Sequence, residues 1–85
     1  MRVVYTKAFK KDFQEFPKAI QKIAETKLEF FVDNFRHQSL QVKKMEGYPD
    51  IWEGRISGNY RFTFQIIKDI YFLRRIGTHD ILKRP

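Results

Sequence analysis

The spacing of the hydrophobic residues changes once along the chain, and this change constrains the fold more than any other feature. Up to residue 35, apolar side chains recur every three or four residues, which is typical of amphipathic helices. From residue 51 to residue 76 they alternate with polar side chains, which is typical of strands. A helical segment is therefore followed by a group of strands, an order that favours an α+β domain.

The first 35 residues predict one strand and two helices. Residues 3–5 are β-branched or aromatic and favour a strand, and Thr6 can cap the helix that follows. Pro17 suits the first turn of a second helix, which the periodicity predicts from Lys18 to about Phe35. The first helix places three aromatic residues on one face: Phe9, Phe13 and Phe16. Because the break between the helices is so short, we expect a helical hairpin.

The rest of the chain predicts an antiparallel meander. Residues 51–56 and 60–66 alternate as strands, residues 70–76 favour a further strand, turns are expected at 57–59 and 68–69, and residues 40–45 suit an edge strand. Short turns join antiparallel neighbours. We therefore expect one domain, residues 1–85, of α+β class: a small antiparallel sheet with two N-terminal helices packed on one face.

Alternation also assigns side chains to the two faces of this sheet. One set is expected to lie under the helices: Trp52, Ile56, Tyr60, Phe62, Phe64 and Ile66. Glu53, Arg55 and Arg61 then share the open face, where residues paired across antiparallel strands lie within about 5 Å of each other. His79 follows the last strand beside Gly77, so alternation does not fix its face. A solvated cross-strand charge pair remains an alternative interpretation of Glu53 and Arg55.

The charge of the chain limits its partners. Lys and Arg number 17 against 10 Asp and Glu, a net charge of +7, which favours nucleic acid or an acidic protein as a partner. There is no Cys, and two His residues are too few for a typical structural zinc site, so neither a metal nor another cofactor is expected. Because no apolar run suits a signal peptide or a membrane span, we expect a cytoplasmic protein without a membrane partner.

Three segments resemble the toxins of the RelE/ParE superfamily. Residues 45–56 (MEGYPDIWEGRI) resemble the turn and aromatic strand in the middle of RelE-type toxins. Residues 60–66 (YRFTFQI) resemble the Tyr-Arg strand of the family, and residues 75–80 (RIGTHD) resemble the strand end at which the YafQ-like and YoeB-like branches carry a catalytic His. The order of the leading strand and helical hairpin also matches, so the resemblance covers essentially the whole chain.

The resemblance implies a RelE-like fold and an endoribonuclease that cleaves mRNA, in most branches on the ribosome. By position, Arg61 matches the catalytic Arg of the family, and His79 matches the His of the two branches. Glu53 and Arg55 occupy positions that are Lys in RelE, so Glu53 replaces a cation. This departure suggests an acid–base pair, with His79 as general acid and Glu53 as general base. The assignment of Glu53 is an inference of ours and is not transferred from the family.

The remaining site predictions concern binding. Four cations are expected to dock the RNA or ribosomal backbone: Lys43, Lys44, Arg74 and Arg75. Tyr48, in a turn, can stack on a base. The family also implies a cognate antitoxin, usually acidic where it covers the toxin, and contact with DNA only indirectly through that antitoxin. Two alternatives stay open: a ParE-type toxin that binds gyrase without cleaving RNA, and a binding module without catalytic activity.

Overall fold

The computed structural model describes residues 2–85. Within them, the elements follow the order β1 (Arg2–Tyr5), α1 (Lys7–Gln14), α2 (Lys18–Asp33), β2 (Lys43–Lys44), β3 (Trp52–Ser57), β4 (Tyr60–Ile67) and β5 (Ile70–Thr78). Two short 3-10 helices cover Gln38–Leu40 and His79–Lys83. The α+β class with two N-terminal helices is therefore confirmed.

The sheet has the strand order β1-β5-β4-β3-β2. Strands β2 to β5 pair antiparallel, as the alternation predicts. The sheet is nevertheless mixed, where the sequence predicted an antiparallel one, because β1 pairs with β5 in parallel. A parallel pair needs a long crossover connection, which the helices and β2–β4 supply here. Hydrophobic alternation contains no information about strand direction, so it did not reveal this pair.

The two helices begin as the sequence predicts. The Thr6 hydroxyl accepts a hydrogen bond from the Phe9 amide at 3.2 Å and so caps α1. Pro17 is the N-cap of α2, one position before its first turn. That helix ends at Asp33, two residues earlier than the periodicity predicts. In the part of the chain that the structure describes, no helix is both long and apolar enough to cross a membrane.

The core lies between the helices and one face of the sheet. Phe31 of α2 is fully buried, and its ring packs edge-on against Phe62 and Phe64 of β4 at centroid distances of 5.4 and 4.9 Å. The predicted inward set of β3 and β4 is thus confirmed. A Cβ atom on Gly54 would lie 2.4 Å from the Phe62 ring, which explains the glycine in this strand.

Residues 40–45 form less strand than predicted. Only Lys43 and Lys44 pair with β3, whereas Leu40 belongs to a 3-10 helix and is fully buried. Gln41 then adopts a left-handed conformation with φ of 46°. Leu40 turns into the core instead of extending the edge of the sheet, and this tertiary packing overrides the local strand pattern.

The face of the sheet away from the helices is partly covered by the C-terminal segment, residues 79–85. Ile81 of this segment is 8% exposed and packs on Gly77 of β5. The contact is so close that a Cβ atom on Gly77 would lie 2.8 Å from the Ile81 Cγ2. Pro85 is buried. Thr63, which alternation places on this face, has no exposed surface. The face is therefore covered around Thr63. Alternation could not predict this cover, because the alternating pattern ends before residues 79–85.

Candidate active site

Two rows of side chains cross the open face of the sheet. In one row, Arg55 of β3 lies opposite Arg61 of β4, and Arg61 lies opposite Gly77 of β5. In the adjacent row, Glu53 lies opposite Thr63 and also opposite Lys43 of β2. Directly paired side chains lie about 5 Å apart and diagonal ones about 7–8 Å. The register thus brings Glu53, Arg55 and Arg61 together on one face, with Lys43 at its edge.

Arg61 is positioned by the turn between β3 and β4. Its Nη1 donates to the carbonyl oxygen of Gly58 at 2.6 Å and to that of Tyr60 at 3.1 Å. Gly58 has a positive φ of 39°, a conformation that glycine adopts without steric cost. The guanidinium is therefore held at the end of the sheet where β3 turns into β4. It is only partly buried, so it stays accessible to an anion.

His79 lies at the same end of the sheet. It is exposed and begins the last 3-10 helix, directly after Thr78 at the end of β5. Thr78 lies opposite Tyr60, the residue before Arg61. The imidazole is therefore attached to the strand end next to the Arg55–Arg61 row. Within residues 2–85, His, Asp and Glu side chains form no cluster of three that could hold a metal ion.

A second group of predicted residues forms a basic groove of about 630 Å³ beneath the C-terminal segment. It is lined by Arg74, Arg75 and Tyr48. Each of them donates a hydrogen bond to one of three consecutive main-chain carbonyl oxygens of the C-terminal segment. Arg74 Nε donates to Pro85 at 3.1 Å, and Arg75 Nη1 donates to Arg84 at 3.3 Å. The Tyr48 hydroxyl donates to Lys83 at 3.3 Å. The C-terminal segment thus occupies one hydrogen-bond donor of each of the three side chains.

Arg75 has a further, structural contact. Its Nε and Nη2 donate to the two carboxylate oxygens of Asp12 on α1, at 2.6 and 3.1 Å. The hydrogen bonds to Asp12 raise the pKa of Arg75 above its ordinary value. The same carboxylate accepts a hydrogen bond from the Ile76 amide at 3.2 Å. It thus provides a partner for a main-chain donor of β5 at a position that β1 does not reach. This contact makes Arg75 an anchor between α1 and β5.

The same architecture occurs among solved structures. The crystal structure of the RelB–RelE antitoxin–toxin complex from Methanococcus jannaschii matches with a TM-score of 0.77, at 24% identity over 95% of both chains. YafQ from E. coli strain BL21(DE3) matches with a TM-score of 0.78, at 12% identity over 96% of this chain and 98% of YafQ. A YoeB/ParE toxin from Agrobacterium tumefaciens matches with a TM-score of 0.77, at 14% identity over 93% and 99% of the two chains.

The chain has the fold of the RelE/ParE superfamily toxins. The resemblance that the sequence shows to this superfamily is therefore confirmed at the level of the fold. No protein-family model matches the chain, and no curated protein matches it in sequence. The RelE-like fold thus rests on agreement in three dimensions.

On this RelE-like scaffold, Lys44 is separated from the other predicted site residues. It lies opposite Trp52 and therefore shares the helix side of the sheet, whereas Lys43 shares the open face with Glu53. The Lys44 ammonium lies 5.3 Å from the centre of the Trp52 ring, a cation–π contact. Adjacent strand residues point to opposite faces, so only one of the two lysines can join the site.

Two residues that contact the predicted site residues were not singled out by the sequence. Asp12 orients Arg75 from 63 positions away, and no local pattern could indicate such a partner. Gln65 accepts a hydrogen bond from Arg74 Nη1 at 3.0 Å, and its place on the open face was readable from alternation. Thr63 precedes Gln65 by two positions on the open face of β4, and its hydroxyl is buried without a hydrogen-bond partner among the described residues.

Proposed function

We propose that the chain is the toxin of a type II toxin–antitoxin pair and an endoribonuclease that cleaves mRNA on the ribosome. The observation that carries the proposal is the direct pairing of Arg55 with Arg61 on an accessible face. Like charges placed directly opposite each other destabilise a sheet. A bound phosphate would relieve this repulsion, and guanidinium groups match the geometry of phosphate oxygens.

The proposed reaction uses the 2′-hydroxyl of the RNA as its nucleophile. Glu53 takes the proton of this hydroxyl, and the 2′-oxygen forms a bond to the adjacent phosphorus. Arg61, assisted by Arg55, neutralises the charge that develops on the phosphorane. His79 donates a proton to the departing 5′-oxygen as the bond from phosphorus to that oxygen breaks. The products are a 2′,3′-cyclic phosphate and a free 5′-hydroxyl, and DNA is not a substrate.

The basic groove supports the placement of the RNA. Arg74 adds a cation beyond the Arg55–Arg61 row, Tyr48 adds an aromatic ring to the same groove, and Lys43 lies at the β2 edge of the face. Phosphate contacts of this kind provide affinity without sequence preference. We assign codon choice to the ribosome and to base stacking on Tyr48, which is 37% exposed.

The proposed partner is a separate antitoxin. The structures of RelE from Methanococcus jannaschii and of YafQ from E. coli include complexes with RelB and DinJ. The net charge of +7 suits an antitoxin that is acidic where it covers the open face. Contact with DNA then takes place only through that antitoxin.

Inducible expression with mapping of transcript ends tests the proposal. The wild type is expressed beside Arg61→Ala and His79→Ala, and we expect new ends within translated codons for the wild type only. Loss of a group that stabilises the phosphorane lowers the rate about 10²–10³-fold, and loss of a general acid about 10²–10⁴-fold. Single-turnover cleavage by purified protein with programmed ribosomes measures these factors.

Arg2→Ala is the matched control, because Arg2 is exposed on the edge strand β1, away from the site. It should cleave like the wild type. Growth arrest that persists unchanged in His79→Ala and Arg61→Ala, without new transcript ends, would contradict the nuclease and favour the ParE-type alternative. Intact mRNA in every reaction, with no growth arrest, would favour a binding module.

A further inference from the structure

A second groove lies on the opposite side of the molecule, between α1 and α2. Its volume is about 830 Å³. Its floor is apolar and includes Phe9, Phe13 and Leu28, which also pack towards the core. Val32 and Tyr5 line it while remaining 47% and 37% exposed. Large apolar side chains are thus left in solvent beside a preformed depression.

One wall of this groove is acidic. Glu25, Glu29 and Asp33 follow each other at four-residue intervals along α2, so they share one helix face, and all three are exposed. Like charges at this spacing repel each other and weaken a helix. None of the three forms an ion pair with any residue between 2 and 85. Lys10 of α1 also lines the groove, so three carboxylates face one cation there, and the groove keeps a net negative charge in a chain of net charge +7.

The shape and charge of the groove restrict what can bind. The edge strand β1 reaches the groove only at Tyr5, too short a stretch for a main-chain ladder with an extended peptide. The walls are two helices, and a further helix can place an apolar stripe between them. A second copy of this chain is unsuitable, because two bodies of charge +7 repel and its own aromatic helix face is already in the core.

We propose that this groove binds an amphipathic helix of a partner protein, whose apolar edge is flanked by Lys or Arg on the side that faces Glu25, Glu29 and Asp33. The apolar edge covers Val32 and Tyr5, and the flanking cations remove the repulsion along α2. The charge of this helix is opposite to that expected of a partner of the open face. The inference goes beyond the proposed nuclease, since the groove lies across the sheet from Arg55 and Arg61.

The test uses the full chain and two synthetic 18-residue helical peptides with the same Leu and Phe stripe. One peptide carries Lys along the flank of the stripe and the other carries Glu. Fluorescence anisotropy measures the Kd of each, and amide chemical shifts locate the contact. We expect the Lys-flanked peptide to bind at least tenfold more tightly and to shift amides of α1 and α2.

Charge reversal supplies the matched comparison. Glu25→Lys and Glu29→Lys together should weaken the Lys-flanked peptide at least tenfold, as should Val32→Asp, while Glu46→Lys in the distant turn before β3 should leave its Kd unchanged. All four positions are exposed, and circular dichroism of each variant verifies the fold. The inference is overturned by equal or tighter binding of the Glu-flanked peptide in the groove, by shifts confined to the open face, or by no effect of the double variant. RNA cleavage by the double variant should equal that of the wild type.

Discussion

Asp12 makes more contacts with the last strand than any sequence pattern indicates. Its carboxylate accepts two hydrogen bonds from Arg75 and one from the Ile76 amide, and it is 16% exposed in the pair. Asp12→Ala leaves these donors without their partner. Hydrogen bonds to charged groups contribute about 1.5–3 kcal/mol each in favourable cases, and partial exposure of Arg75 reduces the total. We expect the free energy of unfolding in urea to fall by about 2 kcal/mol.

Glu15→Ala is the comparison for this change, since Glu15 follows α1 and is exposed. Its effect should stay within about 0.5 kcal/mol, as for most surface substitutions. Equal losses in the two variants would mean that the Asp12 contacts add nothing to stability.

Among single residues, those that alternation could place were predictable. Arg55 and Arg61 lie across from each other, as the period of two and the short turn between their strands require. The partners of Arg75 were not predictable, because they come from α1 and from the C-terminal segment. The roles of Glu53 and His79 in catalysis remain predictions.

The C-terminal segment, residues 79–85, is the element whose packing the sequence revealed least. It is fixed to the sheet by Ile81 and by the hydrogen bonds to its last three main-chain oxygens. Ile81→Ala truncates a buried apolar side chain of the segment, and such truncations cost about 2–5 kcal/mol in well-packed sites. For a short terminal element we expect about 2 kcal/mol in thermal or urea unfolding.

Leu82→Ala is the matched change, because Leu82 is adjacent but only partly buried. It should cost clearly less than Ile81→Ala. Faster amide hydrogen exchange confined to residues 79–85 in Ile81→Ala would show that the segment detaches locally; a loss no larger than in Leu82→Ala would contradict the packing described for Ile81.

At the same scale, the elements that were predicted share a strong local signal. Strands β3 and β4 alternate, residues 70–73 of β5 form an apolar run, and α1 carries Phe9 and Phe13 at helical spacing. The features that were not predicted depend on distant contacts: Leu40 enters the core instead of an edge strand, and β1 pairs in parallel with β5. The local spacing of hydrophobic residues determines the features that were predicted, and tertiary packing determines those that were not.

For the whole molecule, the excess of positive charge predicts how RNA binding responds to salt. Among the cations of the open face and the basic groove, we assign phosphate contacts to four: Lys43, Arg55, Arg61 and Arg74. About four phosphate contacts with a single strand give a slope of about −3 for log affinity against log salt concentration. Anisotropy with a 2′-O-methyl RNA, which cannot be cleaved by 2′-hydroxyl attack, measures this slope.

A DNA strand of the same sequence should give the same slope, because phosphate contacts do not distinguish the sugars. Arg55→Ala should reduce the slope by about 0.7. An affinity that does not change with salt would rule out the phosphate contacts assigned to this face.

The parallel pairing of β1 with β5 has a consequence for the synthesis of the chain. A nascent polypeptide emerges from its N-terminus, and β1 must wait for a strand about 70 positions later before it can enter the sheet. Such long-range contacts also slow folding. Gly77, which completes the row of Arg61, belongs to that same late strand. The open face is therefore completed only after residues 70–78 have been synthesised, and a nascent chain that stops before them lacks both the parallel pair and the full row of Arg61.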